Sequence, residues 1–212
     1  MVAIVGPSGC GKSTLLRLAS RLTPPSAGSI KLSDGNLGYV FQDATLLPWR
    51  TVQHNVELLG ELAGIDPDER RKRAAEAIIL TGLSGFERHR PRALSGGMRM
   101  RVSLARALTM RPRIFLFDEP FGAVDEITRE RLNVELLGLF EREHFAGLFV
   151  THSVTEATFL ASRVLVMSPR PGRIVAEISV PFEYPRALEL RFDAAFANLA
   201  GQVSARLREN LR

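Results

Sequence analysis

Residues 6–14 read GPSGCGKST, and this stretch decides the fold of the chain. It matches the phosphate-binding pattern G-x-x-x-x-G-K-[ST]. The apolar residues 2–5 come before it, and Leu15, Leu18 and Leu22 follow at helical spacing. Strand, glycine loop and helix, in this order, form the context that the pattern requires, so we expect a site for a nucleoside triphosphate.

The residue types of this phosphate loop fit that chemistry. Glycines let the backbone adopt conformations that a Cβ disfavours, so that successive N–H groups can converge on a phosphate at a helix N-terminus. Lys12 can reach the β- and γ-phosphates, and the Ser13 hydroxyl can ligate Mg²⁺. The expected ATP-binding residues are Gly6, Pro7, Ser8, Gly9, Cys10, Gly11, Lys12, Ser13 and Thr14.

Composition limits the other possibilities. With 212 residues, 45% of them hydrophobic, the chain can bury one substantial core with at most a small satellite. The net charge of +5 would fit a nucleic-acid or membrane partner, but the basic residues are scattered rather than clustered, which favours a solvated surface. The only cysteine is Cys10, which excludes an internal disulfide and favours a reducing compartment.

Apolar runs and helical patterns alternate along most of the chain. We predict strands over residues 37–41, 113–117, 147–151, 164–167 and 174–180, with short strands and turns over residues 26–36. Residues 52–110 show helical patterns only. The fold class is therefore α/β, with a mostly parallel sheet, flanking helices and an all-helical subdomain. A single domain covers residues 1–212, with residues 1–51 and 111–212 as its core and about 52–110 as the subdomain.

Three local features carry further expectations. The helix after Leu94 should turn Met98, Val102 and Ala105 inwards. Trp49 is either a core residue or part of a docking surface, and the sequence leaves these readings open. The last helix, with Arg206, Arg208 and Arg212 outside, should pack on its own domain rather than on a membrane.

The carboxyl ends of parallel strands meet at one edge of a sheet, where ligands bind. Gly6, Gln42, Asp118 and His152 each follow a predicted strand, so we expect them to gather there. Asp118 can hold magnesium, and Glu119 can polarise a water against the γ-phosphate. Without residues 6–14, such an acid pair would be only a solvated strand end.

At this point the whole chain resembles the ATP-binding subunit of ABC transporters. The motifs are GPSGCGKST, Gln42, LSGGM at residues 94–98, IFLFDEP at residues 114–120, then Ala123, Val124 and Asp125, and finally His152. The resemblance implies the P-loop NTPase fold, ATP hydrolysis, and ATP and Mg²⁺ as cofactors. It makes Glu119 the catalytic base, places His152 on the γ-phosphate, and lets Gln42 sense the γ-phosphate, the magnesium and the permease. The implied metal ligands are Ser13, Gln42 and Asp118.

The resemblance also implies an assembly. Two copies meet head to tail, and the signature element of one covers the phosphate of the other, with the Asp125 segment joining them. The implied signature residues are Leu94, Ser95, Gly96, Gly97 and Met98. The implied partners are transmembrane permease subunits, a periplasmic or extracellular solute-binding protein acting indirectly, and no nucleic acid. The expected location is peripheral, on the cytoplasmic face of the inner membrane.

Finer features narrow the branch. Met98 stands where many relatives have glutamine, and the runs FQDATLLPWRTV, LSGGMRMRVSLARAL, DEPFGAVDEITR and MSPRPGRI resemble importer ATPases of the nitrate, sulfonate and taurine type. That branch also serves pyrimidine precursors of thiamine. One departure stands out, because only five residues precede Gly6. The N-terminal strands of the family, with an aromatic that stacks on adenine, are expected to be missing: either the start is misassigned or truncated, or other residues hold adenine.

Two other functions remain to be weighed. A soluble ABC ATPase of nucleic-acid repair or chromosome handling would fit the positive charge. Such proteins carry long coiled coils or zinc modules between the phosphate loop and the signature, and this interval is short and lacks both. A degenerate, non-catalytic nucleotide-binding module is the third reading, and the intact Lys12, Asp118, Glu119 and His152 argue against it.

Overall fold

A computed structural model describes residues 1–32, 36–122 and 124–209. The described residues form a six-stranded sheet with the strand order β2-β3-β4-β1-β5-β6. The strands are β1 Val2–Val5, β2 Leu37–Val40, β3 Ile114–Asp118, β4 Ala146–Val150, β5 Arg163–Met167 and β6 Ile174–Ser179. The first five are parallel, and β6 pairs antiparallel with β5. The carboxyl ends of β1, β2, β3 and β4 therefore share one edge.

Helices cover both faces of this sheet. They are α1 Lys12–Ala19, α2 Val52–Val56, α3 Leu58–Leu62, α4 Pro67–Leu80, α5 Gly96–Leu108, α6 Glu126–Glu143, α7 Val154–Leu160 and α8 Ala194–Glu209, with 3-10 turns at Pro91–Ala93 and Leu188–Phe192. Successive side chains of β1 point to opposite faces of the sheet, and each face is covered by its own layer of helices. Ile4 packs with Leu16 of α1 on one face, and Ala3 and Val5 pack with α7 and α8 on the other.

The predicted start of α4 shows how the sequence specifies a helix. Asp66 accepts hydrogen bonds from the backbone N–H groups of Asp68 and Glu69, at 2.9 and 3.3 Å, and Pro67 occupies the first turn. Residues 52–110 contain only helical elements in the described chain. They share one hydrophobic cluster with β2, β3 and α6, so the division into core and subdomain stays a prediction.

Several expectations need correction. No strand forms in the described part of residues 26–36, a stretch rich in Gly and Ser, and residues 33–35 lie outside the described residues. On α5, Val102 and Ala105 are buried as expected, and Met98 is half-buried and packs against the same hydrophobic cluster; Met100, which the prediction did not include, is buried as well. Trp49 is 68% exposed, so it is not a core residue.

The C-terminal helix packs on its own domain, as predicted. Phe196 and Val203 of α8 are buried, and the helix contacts α7 and β5. Arg206 and Arg208 are exposed, while Arg212 lies outside the described residues. Among the residues that the structure describes, no helix has the length and apolar character needed to cross a bilayer.

Candidate nucleotide-binding site

The phosphate loop is folded around its own lysine. Gly11 adopts a φ of 109° and lets the chain turn directly into α1. Lys12, the first residue of that helix, is 6% exposed, and its Nζ donates to the carbonyl oxygens of Gly6 at 2.9 Å and Pro7 at 3.1 Å. The positive end of the helix and the lysine ammonium thus lie together, as anion binding requires.

The Asp118 carboxylate receives hydrogen bonds from two hydroxyl groups. Ser13 donates to its Oδ1 at 2.8 Å, and Tyr39 donates to its Oδ2 at 3.2 Å. Burial, together with the neighbouring carboxylate, raises the pKa of Tyr39 far above its ordinary value, so the phenol stays a donor. A hydroxyl and a carboxylate in contact form the hard oxygen set that Mg²⁺ prefers, and Ser13 and Asp118 therefore fit the magnesium role.

Glu119 projects from the end of β3 in a left-handed conformation, with a φ of 46°. Its N–H donates to the Val150 carbonyl at 2.9 Å, which fixes the strained backbone. Its carboxylate lies 3.8 Å from the Lys12 ammonium and 3.2 Å from Nδ1 of His152. The acid is thus held between a fixed cation and an imidazole that is 57% exposed.

These groups surround one polar cleft of about 320 Å³. The residues that line it are Ser8, Gly9, Gly11, Lys12, Ser13, Thr14, Gln42, Glu119 and Arg170. The expected gathering of strand ends is therefore present: Asp118 contacts the cleft residue Ser13, and His152 contacts the cleft residue Glu119. Arg170 is an addition that sequence reasoning missed.

Cys10 lies under the loop rather than in the cleft. Its side chain is 4% exposed and packs with Leu16 and Met167 in an apolar cluster. A Cβ built on Gly6 would come within 2.9 Å of its sulfur. Any contribution of Cys10 to ATP binding would therefore come from its backbone.

The signature residues lie elsewhere. Ser95 caps α5 by accepting a hydrogen bond from the Met98 N–H at 3.2 Å, and Ser95 and Gly96 are exposed while Leu94 and Gly97 are buried. None of residues 94–98 lines the cleft. One copy of the chain therefore does not bring its signature to its own phosphate loop.

Asp125 caps α6 in the same way, at the end of the expected dimer loop. It accepts a hydrogen bond from the Thr128 N–H at 2.9 Å, and this bond lowers the pKa of the Asp125 carboxyl. Arg129 of α6 donates to the carbonyls of Phe121 at 3.2 Å and Val124 at 2.9 Å. These hydrogen bonds hold the loop before Asp125 against α6. Ala123 lies outside the described residues.

Arg106 connects the signature helix to the loop after Gln42. This buried residue of α5 donates to the carbonyls of Ala44 and Thr45, both at 3.0 Å, and to the Thr45 hydroxyl. Desolvation lowers the pKa of the guanidinium. The sequence contains a signal for this contact, because the helical pattern places Arg106 on the buried face of α5. A buried arginine must have hydrogen-bond partners.

A second buried polar group supports the strand end before His152. Glu156 is 4% exposed and accepts a hydrogen bond from the Thr151 hydroxyl. With its amide oriented to satisfy both neighbours, Asn133 donates to Glu156 at 3.1 Å and accepts from Arg191 at 2.9 Å. Burial is the main reason why the pKa of Glu156 is raised above its ordinary value.

Comparison with known proteins fits this geometry. The family profile described as ABC transporter matches residues 1–122. The chain belongs to the ABC transporter family. The predictions of an ABC-type P-loop fold and of ATP hydrolysis are thereby confirmed. Among its relatives, the taurine import ATP-binding protein TauB of Rhizobium johnstonii is 44% identical over 226 aligned residues, which cover 100% of this chain and 86% of that protein. TauB of Yersinia pestis is 46% identical over 189 residues, covering 86% and 74%.

Solved structures of ABC cassettes have the same fold. The dimeric structure of MJ0796, a bacterial ABC transporter cassette, matches with a TM-score of 0.73 and 35% identity over 86% of each chain. A dimeric post-hydrolysis state of the same cassette, bound to ADP and Pi, matches with a TM-score of 0.73 and 33% identity, again over 86% of each chain. The roles of the individual site residues in this chain stay predictions.

Proposed function

We propose that this chain is the ATP-hydrolysing subunit of an importer, and that it powers the uptake of a small solute through separate permease subunits. The observation that carries this proposal is the Glu119 carboxylate, held 3.8 Å from Lys12 and 3.2 Å from His152 beside the phosphate loop. An acid, a cation and an imidazole therefore lie together beside the phosphate loop, which supports a γ-phosphate site at this place.

Each group has a role that follows from its position. Lys12 and the start of α1 bind the phosphate charge, and Ser13, Asp118 and Gln42 would hold magnesium. When bound, Mg²⁺ would neutralise charge on the phosphate oxygens. Glu119 accepts the proton of the attacking water as general base. The imidazole of His152, turned towards the cleft by Glu119, would donate to a phosphate oxygen.

A second copy completes the site. The start of α5 does not line the cleft of its own copy, yet Ser95 and Gly96 are exposed there, and a helix N-terminus favours anions. In a head-to-tail pair, each signature would cover the nucleotide of the other copy, and Asp125 would lie where the two copies join. The dimeric cassettes of similar fold support this arrangement.

A docking surface for the permease follows from the loop after Gln42. Trp49 stands 68% exposed on this loop, which Asn55 holds by donating to the carbonyls of Leu47 at 3.1 Å, Arg50 at 3.2 Å and Thr51 at 2.9 Å. A large apolar side chain presented on a fixed loop is typical of an interface. We place permease subunits here and the protein on the cytoplasmic face of the membrane.

The relatives support the branch of the importer. Two of them are named for taurine import, so we propose a small sulfonate or a solute of similar size as the cargo. The solute would be delivered to the permease by a binding protein on the other side of the membrane. Uptake assays in cells that lack this gene, supplied with taurine and related solutes, test the cargo.

Glu119→Gln tests the mechanism. Because the amide binds no proton at neutral pH, hydrolysis should fall about 100-fold or more, while ATP still binds and an ATP-dependent dimer accumulates. Phosphate release and size-exclusion chromatography measure the two effects. Glu143→Gln, an exposed position on α6, is the matched control and should hydrolyse ATP normally. Normal turnover by Glu119→Gln would remove Glu119 from the role of base.

A further inference from the structure

The turn between β5 and β6 touches the phosphate loop from outside. This β5–β6 turn, residues 168–173, closes on itself: the Ser168 N–H donates to the Arg173 carbonyl at 2.9 Å, and the Arg173 N–H donates to the Ser168 hydroxyl at 3.0 Å. The same hydroxyl donates to the Pro171 carbonyl at 3.2 Å. The turn is therefore a defined structure rather than a loose connection.

Two consecutive carbonyls of the phosphate loop meet this turn. Nε of Arg170 donates to the Gly9 carbonyl at 2.9 Å. Gly172 lies against the next carbonyl so closely that a Cβ on it would come 2.1 Å from the Cys10 oxygen. The N–H of that same Gly9–Cys10 peptide donates to the Pro7 carbonyl at 3.3 Å. Peptide orientation at the loop apex is thus fixed partly by residues about 160 positions away in the sequence.

Arg170 also faces the cleft. It lines the space that Lys12, Ser13 and Glu119 line, and its side chain is exposed. A guanidinium has five N–H donors, and within the described residues Arg170 uses only one of them, on Gly9. Planar N–H pairs of this kind suit phosphate oxygens, and the charge adds to that of Lys12.

We propose that Arg170 is a nucleotide-binding residue, which braces the phosphate loop through Gly9 and offers its remaining donors to the phosphates of ATP. The proposal rests on the proposed function of the cleft as an ATP site. Gly172 is the positioning residue that lets the turn approach the loop.

ATP affinity of matched variants tests the proposal. Arg170→Ala should weaken ATP binding about 10-fold, as expected for the loss of one charge-assisted contact, and Arg170→Lys should recover part of the loss. The effect should appear in the KM for ATP, with kcat changed less than about twofold, because the group acts mainly in binding. The control is Arg173→Ala, whose side chain belongs to the same turn but does not line the cleft.

Gly172→Ala provides an independent variant. Its methyl group would push the turn away from Cys10, so ATP binding should weaken although the charge of Arg170 is kept. Unchanged affinity in Arg170→Ala would overturn the proposal, as would an equal loss in Arg173→Ala, and unchanged affinity in Gly172→Ala would remove Gly172 from its positioning role. Lys12→Ala in the same assay separates failure of the Arg170 proposal from failure of the proposed ATP site. If Lys12→Ala abolishes ATP binding and Arg170→Ala does not weaken it, only the Arg170 proposal fails. If Lys12→Ala binds normally, the cleft is not the ATP site.

Discussion

The start of α1 and the start of α5 are both helix N-termini with glycines nearby, but their surroundings differ. At the first, Lys12 is 6% exposed and lies among Ser13, Asp118 and Glu119 at a strand edge. At the start of α5, Ser95 is exposed, and none of residues 94–98 lines the cleft. We call these the phosphate-loop region and the signature region.

The difference shows that a helix N-terminus alone does not make a nucleotide site. Both regions offer backbone N–H groups and a positive helix end, but only the phosphate-loop region adds the buried Lys12 ammonium and the carboxylates of Asp118 and Glu119. The parallel sheet supplies these additions because it brings four strand ends together. The signature region lies at the start of α5, away from these strand ends, and in the proposed pair it would meet the phosphate of the second copy.

The largest expected effect is loss of nucleotide binding in the phosphate-loop region. Lys12→Ala removes the buried ammonium that would bind the β- and γ-phosphates, and charge-assisted contacts contribute about 1.5–3 kcal/mol each. We therefore expect ATP affinity to fall about 100-fold or more, measured by calorimetry or by displacement of a fluorescent nucleotide. Lys72→Ala, an exposed position on α4, is the control and should bind normally.

In the proposed head-to-tail pair each site would combine the two regions from different copies, so mixing two inactive variants should restore part of the activity. Lys12→Ala has a defective phosphate loop with an intact signature, and Ser95→Arg has the reverse. A mixed pair contains one intact site, so ATP hydrolysis should recover to at most about half of the wild-type rate per pair. This is measured as phosphate release during titration of one variant with the other.

The control for the mixing experiment is Lys12→Ala with Glu119→Gln. Neither phosphate loop in this pair can hydrolyse ATP, so no recovery is expected. If Ser95→Arg alone kept full activity, or if mixing it with Lys12→Ala restored nothing, the two regions would not act across copies.

The smallest expected effect concerns Glu156, the buried support behind His152. Its folded-state pKa is raised, so protonation stabilises the fold. Below the ordinary pKa of glutamic acid the group is protonated in both states. As pH rises towards the folded pKa, only the unfolded chain releases the proton, and the free energy of unfolding falls. Glu156→Gln lacks this loss, so its stability relative to wild type should increase with pH.

Urea denaturation at several pH values between about 4.5 and 7.5 measures this difference. Glu143→Gln serves again as the exposed control and should keep a constant difference from wild type. A Glu156→Gln difference that stays flat or decreases with pH would contradict the assigned pKa direction.

Sequence reasoning was strongest where the required pattern is local. The phosphate loop, the cap at Asp66 and the helices of residues 52–110 each follow from neighbouring residue types, and the structure has them. It failed over residues 26–32, where polar and glycine-rich sequence gives no strand in the described chain. Met100 of α5 is buried although the prediction named only Met98, Val102 and Ala105, because Met100 falls outside the i, i+4, i+7 spacing that these three residues share.

The sequence by itself determined the family, the order of the main strands and helices, and the strand ends to within one residue, since motif spacing and hydrophobic periodicity are local properties. Only the tertiary structure decided that Tyr39 holds Asp118, that Arg106 holds the loop after Gln42, and that Arg170 reaches the phosphate loop. These pairs lie 61 to 161 residues apart in the chain. Contacts over such separations depend on the order in which the strands lie side by side in the sheet, and no local sequence pattern specifies this order.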